Sequence, residues 1–280
     1  MKIFTKRKDL SEYLAHLRAE GKTIGFVPTL GALHQGHLSL LAQAQQANDI
    51  TACSIFVNPT QFNDPKDLEK YPRPIASDIE KLEQAGCDIL FNPEVGEMYD
   101  GNEQWHLEIG ELEHLLEGEF RPGHYQGVTQ VVYKLFAIVQ PDIAFFGQKD
   151  YQQFLIIQRM EELLHLPVKL VMCPILREAD GLAMSSRNIH LSADERQHAL
   201  VLYKTLNWLK ENFDRRKIQS LTRECEMLIR TEHGAELEYF KIVDGDNLHP
   251  ANQSTHNIVA LVAARVGKTR LIDNMILEIS

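Results

Sequence analysis

The sequence predicts an α/β fold, with a parallel sheet covered by helices and then a smaller α+β C-terminal domain. Three observations carry this reading. Short apolar runs alternate with helical patterns over the first two-thirds of the 280 residues. The runs are almost continuously apolar, as strands buried on both faces must be. Beyond about residue 176 the order changes to two helical stretches followed by strands.

The elements follow in order. Residues 23–27, 51–57, 88–91, 142–146 and 168–173 are short β-branched or aromatic runs and read as strands. Residues 38–47, 75–85, 128–139 and 151–164 have helical spacing. Residues 193–213 and 218–233 read as the two later helices, with apolar runs at 237–243 and 258–266. The expected division is a first domain over 1–176 and a second over 177–280, joined through a hinge-like stretch at 177–188. Polar, turn-forming segments follow three of the strands: Pro28-Thr29-Leu30-Gly31, Asn58-Pro59-Thr60-Gln61-Phe62 and Gly147-Gln148-Lys149-Asp150. In an open parallel sheet such segments gather at the carboxyl edge, where ligands bind.

Composition narrows the function. A formal net charge of −10 argues against a general nucleic-acid binder, which needs a basic face. No run approaches the ~20 apolar residues of a membrane span, so no membrane partner is expected and the expected compartment is the cytoplasm. Cys53, Cys87, Cys173 and Cys225 are scattered without a C-x-x-C pair and read as buried thiols.

The chemistry concentrates in two segments. In Gly31-Ala32-Leu33-His34-Gln35-Gly36-His37 the glycines allow a tight strand-to-helix turn, and a helix starting there aims its positive N-terminus at a phosphate. Two imidazoles three residues apart can donate to neighbouring phosphate oxygens. The same pair is open to two other readings, satisfied turn histidines or zinc ligands, although no H-E-x-x-H and no obvious third ligand accompany it. The second segment, Met184-Ser185-Ser186-Arg187, offers hydroxyls and a guanidinium fork suited to β- and γ-phosphates. Alone it is an ordinary exposed loop; its weight comes from the histidine pair.

Lys149 can neutralise charge growing on an α-phosphate, and Asp150 can accept from ribose hydroxyls; the alternative is a solvated lysine beside a helix cap. Gln61 and Gln153 are neutral amides fit to grip a hydroxy-acid, or plain surface glutamines. Arg121, in the turn-rich loop 121–127, either supports the site or braces the fold. Asp64, Asp67, Asp78 and Glu80 read as a solvated acidic face, with a metal contact as the alternative.

These blocks, with Tyr71-Pro72-Arg73, Arg121-Pro122-Gly123-His124 and residues 263–274, resemble the pantoate–β-alanine ligase family in order along nearly the whole chain. The resemblance implies a Rossmann-like nucleotidyltransferase domain that binds ATP and pantoate, a smaller C-terminal lid domain and a homodimer. It implies ATP as substrate with Mg²⁺, joining pantoate to β-alanine with release of AMP and pyrophosphate. It places His34, His37 and Lys149 in catalysis on the phosphates. Leu30, Gly31, Gly147, Gln148, Asp150, Met184, Ser185, Ser186 and Arg187 complete the ATP site, and Gln61 and Gln153 hold pantoate. The chain departs from the family pattern at Leu30, where Met is frequent, at Gln35 and Gln148, where Glu is common, and at Gln130, where a small hydroxyl residue is usual. The rivals are another nucleotidyltransferase on the same scaffold, a non-catalytic nucleotide sensor and, weakest, a zinc hydrolase.

Overall fold

The structure, a computed structural model, describes residues 1–101 and 103–278. It divides into two compact units, one of residues 1–147 with 153–174 and the other of residues 148–152 with 175–280.

The first unit holds, in chain order, β1 (Lys2–Phe4), α1 (Arg7–Ala19), β2 (Ile24–Thr29), α2 (Gln35–Ala47), β3 (Ile50–Ile55), α3 (Pro65–Lys70) and α4 (Ile75–Gln84). There follow β4 (Ile89–Phe91), α5 (Val95–Met98), α6 (Glu117–Phe120), α7 (His124–Val139), β5 (Ile143–Gly147), α8 (Tyr151–Leu164), whose first two residues group with the second unit, and β6 (Lys169–Cys173). The strands form one sheet in the order β1-β4-β3-β2-β5-β6, with every neighbouring pair parallel.

Side-chain alternation explains why this sheet needs helices on both faces. Phe26, Ala52, Ile89 and Phe146 point to one core, shared with Leu10 and Leu14 of α1, Val128 and Leu135 of α7, and Ile156 and Met160 of α8. Val27, Cys53, Leu90 and Phe145 point to the opposite core, with Leu40, Leu41 and Ala44 of α2 and Leu82 of α4. Parallel strands buried twice over show no polar alternation, which is the pattern the sequence carries. β1 and α1 were not expected: β1 has three residues with Lys2 and Ile3 exposed, too short for a period to register.

The strand order reverses between β2 and β5. From β2 the chain builds outward through β3 and β4, then crosses to the other side for β5 and β6. At such a reversal the connections leave in opposite directions and open a crevice at the carboxyl ends.

In the second unit α9 (Ala193–Asn212) and α10 (Ile218–Arg230) pack on an antiparallel meander of β7 (Ala235–Asp244), β8 (Ile258–Val266) and β9 (Thr269–Glu278). α9 begins at a capping box in which Ser192 accepts from the Glu195 amide while Glu195 accepts from that of Ser192. Leu206, Leu209, Leu221, Cys225 and Ile229 meet Phe240, Ile242, Val262 and Leu271 in the core. Residues 177–188, expected as a connection, form a clamped loop inside this unit, with Arg177 bridged to Ala183 across a turn at Gly181.

Candidate active site

In the first unit the site is built on the turn after β2. Gly31 and Ala32 have φ of 85° and 51°, so the chain reverses sharply in left-handed backbone. A Cβ on Gly31 would lie 2.9 Å from the Ile55 side chain and 3.2 Å from Asp78, so glycine is required there twice over. The turn is pinned from below. Ala32 and Leu33 donate their amides to the Asp78 carboxylate at 2.7 and 2.8 Å, and Lys81 Nζ donates to the Leu33 carbonyl at 2.7 Å. Asp78 is only 1% exposed, whereas Asp64 and Glu80 face solvent. The acidic-face reading is therefore wrong for Asp78, because its carboxylate serves amides some 45 residues earlier in the chain.

The turn delivers His34 to the N-cap of α2 and His37 to its first turn. His34 Nδ1 accepts from the Gly36 amide at 3.1 Å and His37 Nδ1 from the His34 amide at 3.3 Å, a reciprocal cap built from two imidazoles. Their ring centroids are 4.1 Å apart. With Nδ1 accepting, each neutral ring carries its proton on Nε2 and is a donor there. The capping role weighed for the pair is thus realised through both Nδ1 atoms. Among the described residues there is no group of three or more His, Cys, Asp or Glu that could hold a metal ion.

Thr29 at the end of β2 lies opposite Ile55 at the end of β3, so the segments beyond them leave side by side. After β3 a 3₁₀ turn, Pro59–Gln61, buries Gln61. Asn58, fully buried, organises it: Nδ2 donates to Gln61 Oε1 at 3.1 Å and to the Gly127 carbonyl at 3.0 Å, while Oδ1 accepts from the Tyr99 hydroxyl at 2.7 Å. Burial pushes the Tyr99 phenol up to about 12, so it stays a donor. His124, opening α7, holds the Gln61 carbonyl through Nδ1 at 2.7 Å. A Cβ on Gly127 would fall 2.4 Å from the Thr60 carbonyl oxygen, so α7 can approach this turn only through glycine. Tyr125, Val131 and Val132 belong to the α7 core, and Gln130 is buried on the same helix. Gly147 ends β5 beside β2, and Gln153 is half-buried near the start of α8.

The remaining candidates lie in the second unit. Gln148, Lys149 and Asp150 form a 3₁₀ turn, with Lys149 Nζ 3.9 Å from Asp150. Asn274 of β9 donates through Nδ2 to the carbonyls of Gln148 and Lys149 at 2.9 and 3.0 Å, and Gln148 Nε2 donates back to Asn274 Oδ1 at 3.0 Å. Next to it Asp273 receives a two-pronged ion pair from Arg177 at 2.6 and 3.0 Å. Burial pushes the Asp273 carboxyl up, and the Arg177 fork opposes that shift. Arg177 also lies 4.6 Å over the Tyr203 ring and donates to the Gly181 carbonyl. Ser185 caps the next 3₁₀ turn, Ser186–His190, by accepting the Arg187 amide, which leaves its own O–H to donate. Asn188 ties this turn back to Glu178 and to the Ala183 carbonyl, both at 3.0 Å.

Sequence reasoning named Leu30, Gly31, His34, His37, Gln61, Gly147 and Gln153, which fall in the first unit, and Gln148, Lys149, Asp150 and residues 184–187, which fall in the second. It missed Asp78, Asn58, His124, Asp273 and Asn274 as organisers. Asn58, His124, Asp273 and Asn274 stood inside quoted motifs; Asp78 carries no local signal, because its partners are far away in sequence.

The family model for pantoate-beta-alanine ligase matches residues 2–276. The chain belongs to the pantoate–β-alanine ligase family. This family of ligases has close relatives of the same length. The pantothenate synthetase of Aquifex aeolicus is 47% identical over 97% of each chain, and that of Desulfitobacterium hafniense 46% over 99% of each. Among solved structures, pantothenate synthetase from Thermus thermophilus superposes with a TM-score of 0.93 at 40% identity, covering 99% of this chain and all of the other. The pantoate-beta-alanine ligase of Francisella tularensis, solved with beta-gamma ATP and beta-alanine, gives 0.82 at 35%, covering all of this chain and 99% of the other. The α/β fold expected, a parallel sheet with a smaller C-terminal α+β unit, is the fold observed, with β1 as a sixth strand at the sheet edge.

Proposed function

We propose that this member of the pantoate–β-alanine ligase family condenses pantoate with β-alanine by way of a pantoyl adenylate, releasing AMP and pyrophosphate. The observation that supports the reading is the imidazole-capped start of α2 at the strand-order reversal, a helix N-terminus of the kind that binds anions. The ligands of the Francisella structure point to the same chemistry.

The pantoate carboxylate attacks the α-phosphorus in line, forming a carboxyl–phosphate bond as the α–β bridge breaks and pyrophosphate leaves. The neutral amine of β-alanine then attacks the acyl carbon; the acyl C–O bond breaks, AMP leaves carrying the former carboxylate oxygen, and the nitrogen loses a proton as the amide forms. In this reading His34, His37 and Lys149 stabilise the phosphates, and Ser185, Ser186 and Arg187 hold the terminal ones. Leu30, Gly31, Gly147, Gln148, Asp150 and Met184 line the nucleotide, and Gln61 and Gln153 grip pantoate. Alignment and charge stabilisation supply the rate, with no protein nucleophile. All four thiols are buried and free, and burial pushes Cys87 and Cys225 up to about 12, far from a reactive thiolate. Mg²⁺ suits the donors at hand, since it is usually held by substrate phosphates and water with one or two carboxylates, and Asp150 is the carboxylate beside Lys149. Bound there, it would neutralise phosphate charge. We place the reaction in the cytoplasm, in a homodimer whose second unit acts as the lid, as the family resemblance implies.

The test is isotope exchange between pyrophosphate and ATP, which should require pantoate and proceed without β-alanine. Exchange supported equally by an amino acid or a phosphorylated alcohol would sink the assignment.

A further inference from the structure

Two segments of the second unit that the proposed function uses, residues 148–150 and 184–187, are tethered to one dipeptide of β9. Asn274 is 1% exposed and spends its whole amide on the first segment: both carbonyls receive its N–H groups and its oxygen receives Gln148 Nε2. Asp273, 4% exposed, binds Arg177 at the head of the loop that carries the second; the Arg177 guanidinium also donates to the carbonyls of Gly181 and Asn274, and its backbone bridges Ala183. The dipeptide is itself locked, since the Asn274 amide donates to Asp273 Oδ1 at 2.8 Å. A bonded Gln148–Asn274 pair also explains how this chain carries a neutral amide at 148: Gln148 can donate to Asn274 Oδ1, which a carboxylate could not. The unit's apolar core is formed by α9, α10 and the meander, with Leu182 added from the loop after Arg177. A buried polar network that ties two loops to one strand is suited to fixing geometry.

We propose that Asn274 is a positioning residue that holds the backbone at Gln148 and Lys149 so that the Lys149 ammonium meets the ATP phosphates in register with Ser185, Ser186 and Arg187. The inference rests on the ligase reading above. Asn274 touches no substrate; it acts through the two carbonyls it restrains.

The experiment compares Asn274→Ala with Leu271→Ala, a truncation on the same strand that opens the core and touches neither loop. Steady-state constants for ATP, pantoate and β-alanine are measured with pantoate-dependent exchange and melting temperature. Asn274→Ala should raise the KM for ATP and lower exchange by about tenfold or more, since small misplacements of a positioned group are costly. Its KM for β-alanine should stay within about twofold of the parent. Leu271→Ala should melt earlier yet keep the parent's KM for ATP. If Asn274→Ala does not fold, Asn274→Asp, which keeps the shape and loses both donors, is read by the same criteria. A folded variant with the parent's KM for ATP and exchange rate overturns the proposal, as does an equal rise in all three KM values in both truncations. Exchange absent from the parent protein would instead sink the ligase reading, and this inference with it.

Discussion

At the scale of single residues, the imidazoles of His34 and His37 are set by what their Nδ1 atoms accept. A histidine in a turn is ambiguous until its tautomer is fixed, and here two backbone amides fix it. In the proposed mechanism, replacing His37 by alanine would remove an N–H donor to a phosphate in the transition state, worth about 2.7–4 kcal/mol by comparison with a lost oxyanion-hole donor. We expect turnover to fall at least a hundredfold, with the circular dichroism spectrum unchanged. Turnover within about tenfold of the parent would remove His37 from the chemistry. The sequence allowed this residue to be picked out because its motif is short and contiguous. Asp78 was opaque for the opposite reason. An aspartate on an amphipathic helix reads as solvated, and only the folded chain brings the Ala32 and Leu33 amides onto its carboxylate.

At the scale of elements, β2 to β6 were legible because burial on both sheet faces leaves an unbroken apolar run, and α2, α4, α7 and α8 showed helical spacing; the short α3, α5 and α6 did not. β9 was not read as a strand, although residues 263–274 were matched to the family. Its apolar positions are interrupted by Arg270, Asp273 and Asn274, which pair or bond inside the unit instead of facing water. The contact of α7 with the Pro59–Gln61 turn was equally invisible, since a glycine in a helix usually signals weakness. Here Gly127 is what lets the helix reach the Thr60 carbonyl. Gly127→Ala should force that turn away, displacing Gln61, and raise the KM for pantoate at least fivefold more than the KM for ATP. Equal effects on both constants would show that Gln61 does not serve pantoate.

At the scale of the whole molecule, pH reaches stability through the second unit. In the second, His198 of α9 binds Glu232 at 2.7 Å and lies 3.5 Å from Asp194. The hydrogen bond to Glu232, aided by Asp194, raises the imidazole above its ordinary value of 6.5. A raised histidine stabilises the fold fully below the unfolded value, and that contribution disappears as pH climbs through the folded one. Chemical denaturation followed through Trp208 should therefore show greater stability near pH 6 than near pH 8. Glu232→Gln should flatten the difference, and a parent protein more stable at pH 8 would refute the link. Acidity overall, at a net charge of −10, leaves anion binding to local features such as the helix start at His34 and the cations at 149 and 187.

The assignment of residues 148–152 to the second unit has a practical corollary for anyone wishing to produce the halves apart. Severing the gene after codon 174 would leave that pentapeptide on the wrong fragment, parted from the asparagine amide that secures its carbonyls. The C-terminal piece would then display a raw polar notch where Asn274 expects company. A rearranged gene that carries the five residues along would keep that pairing.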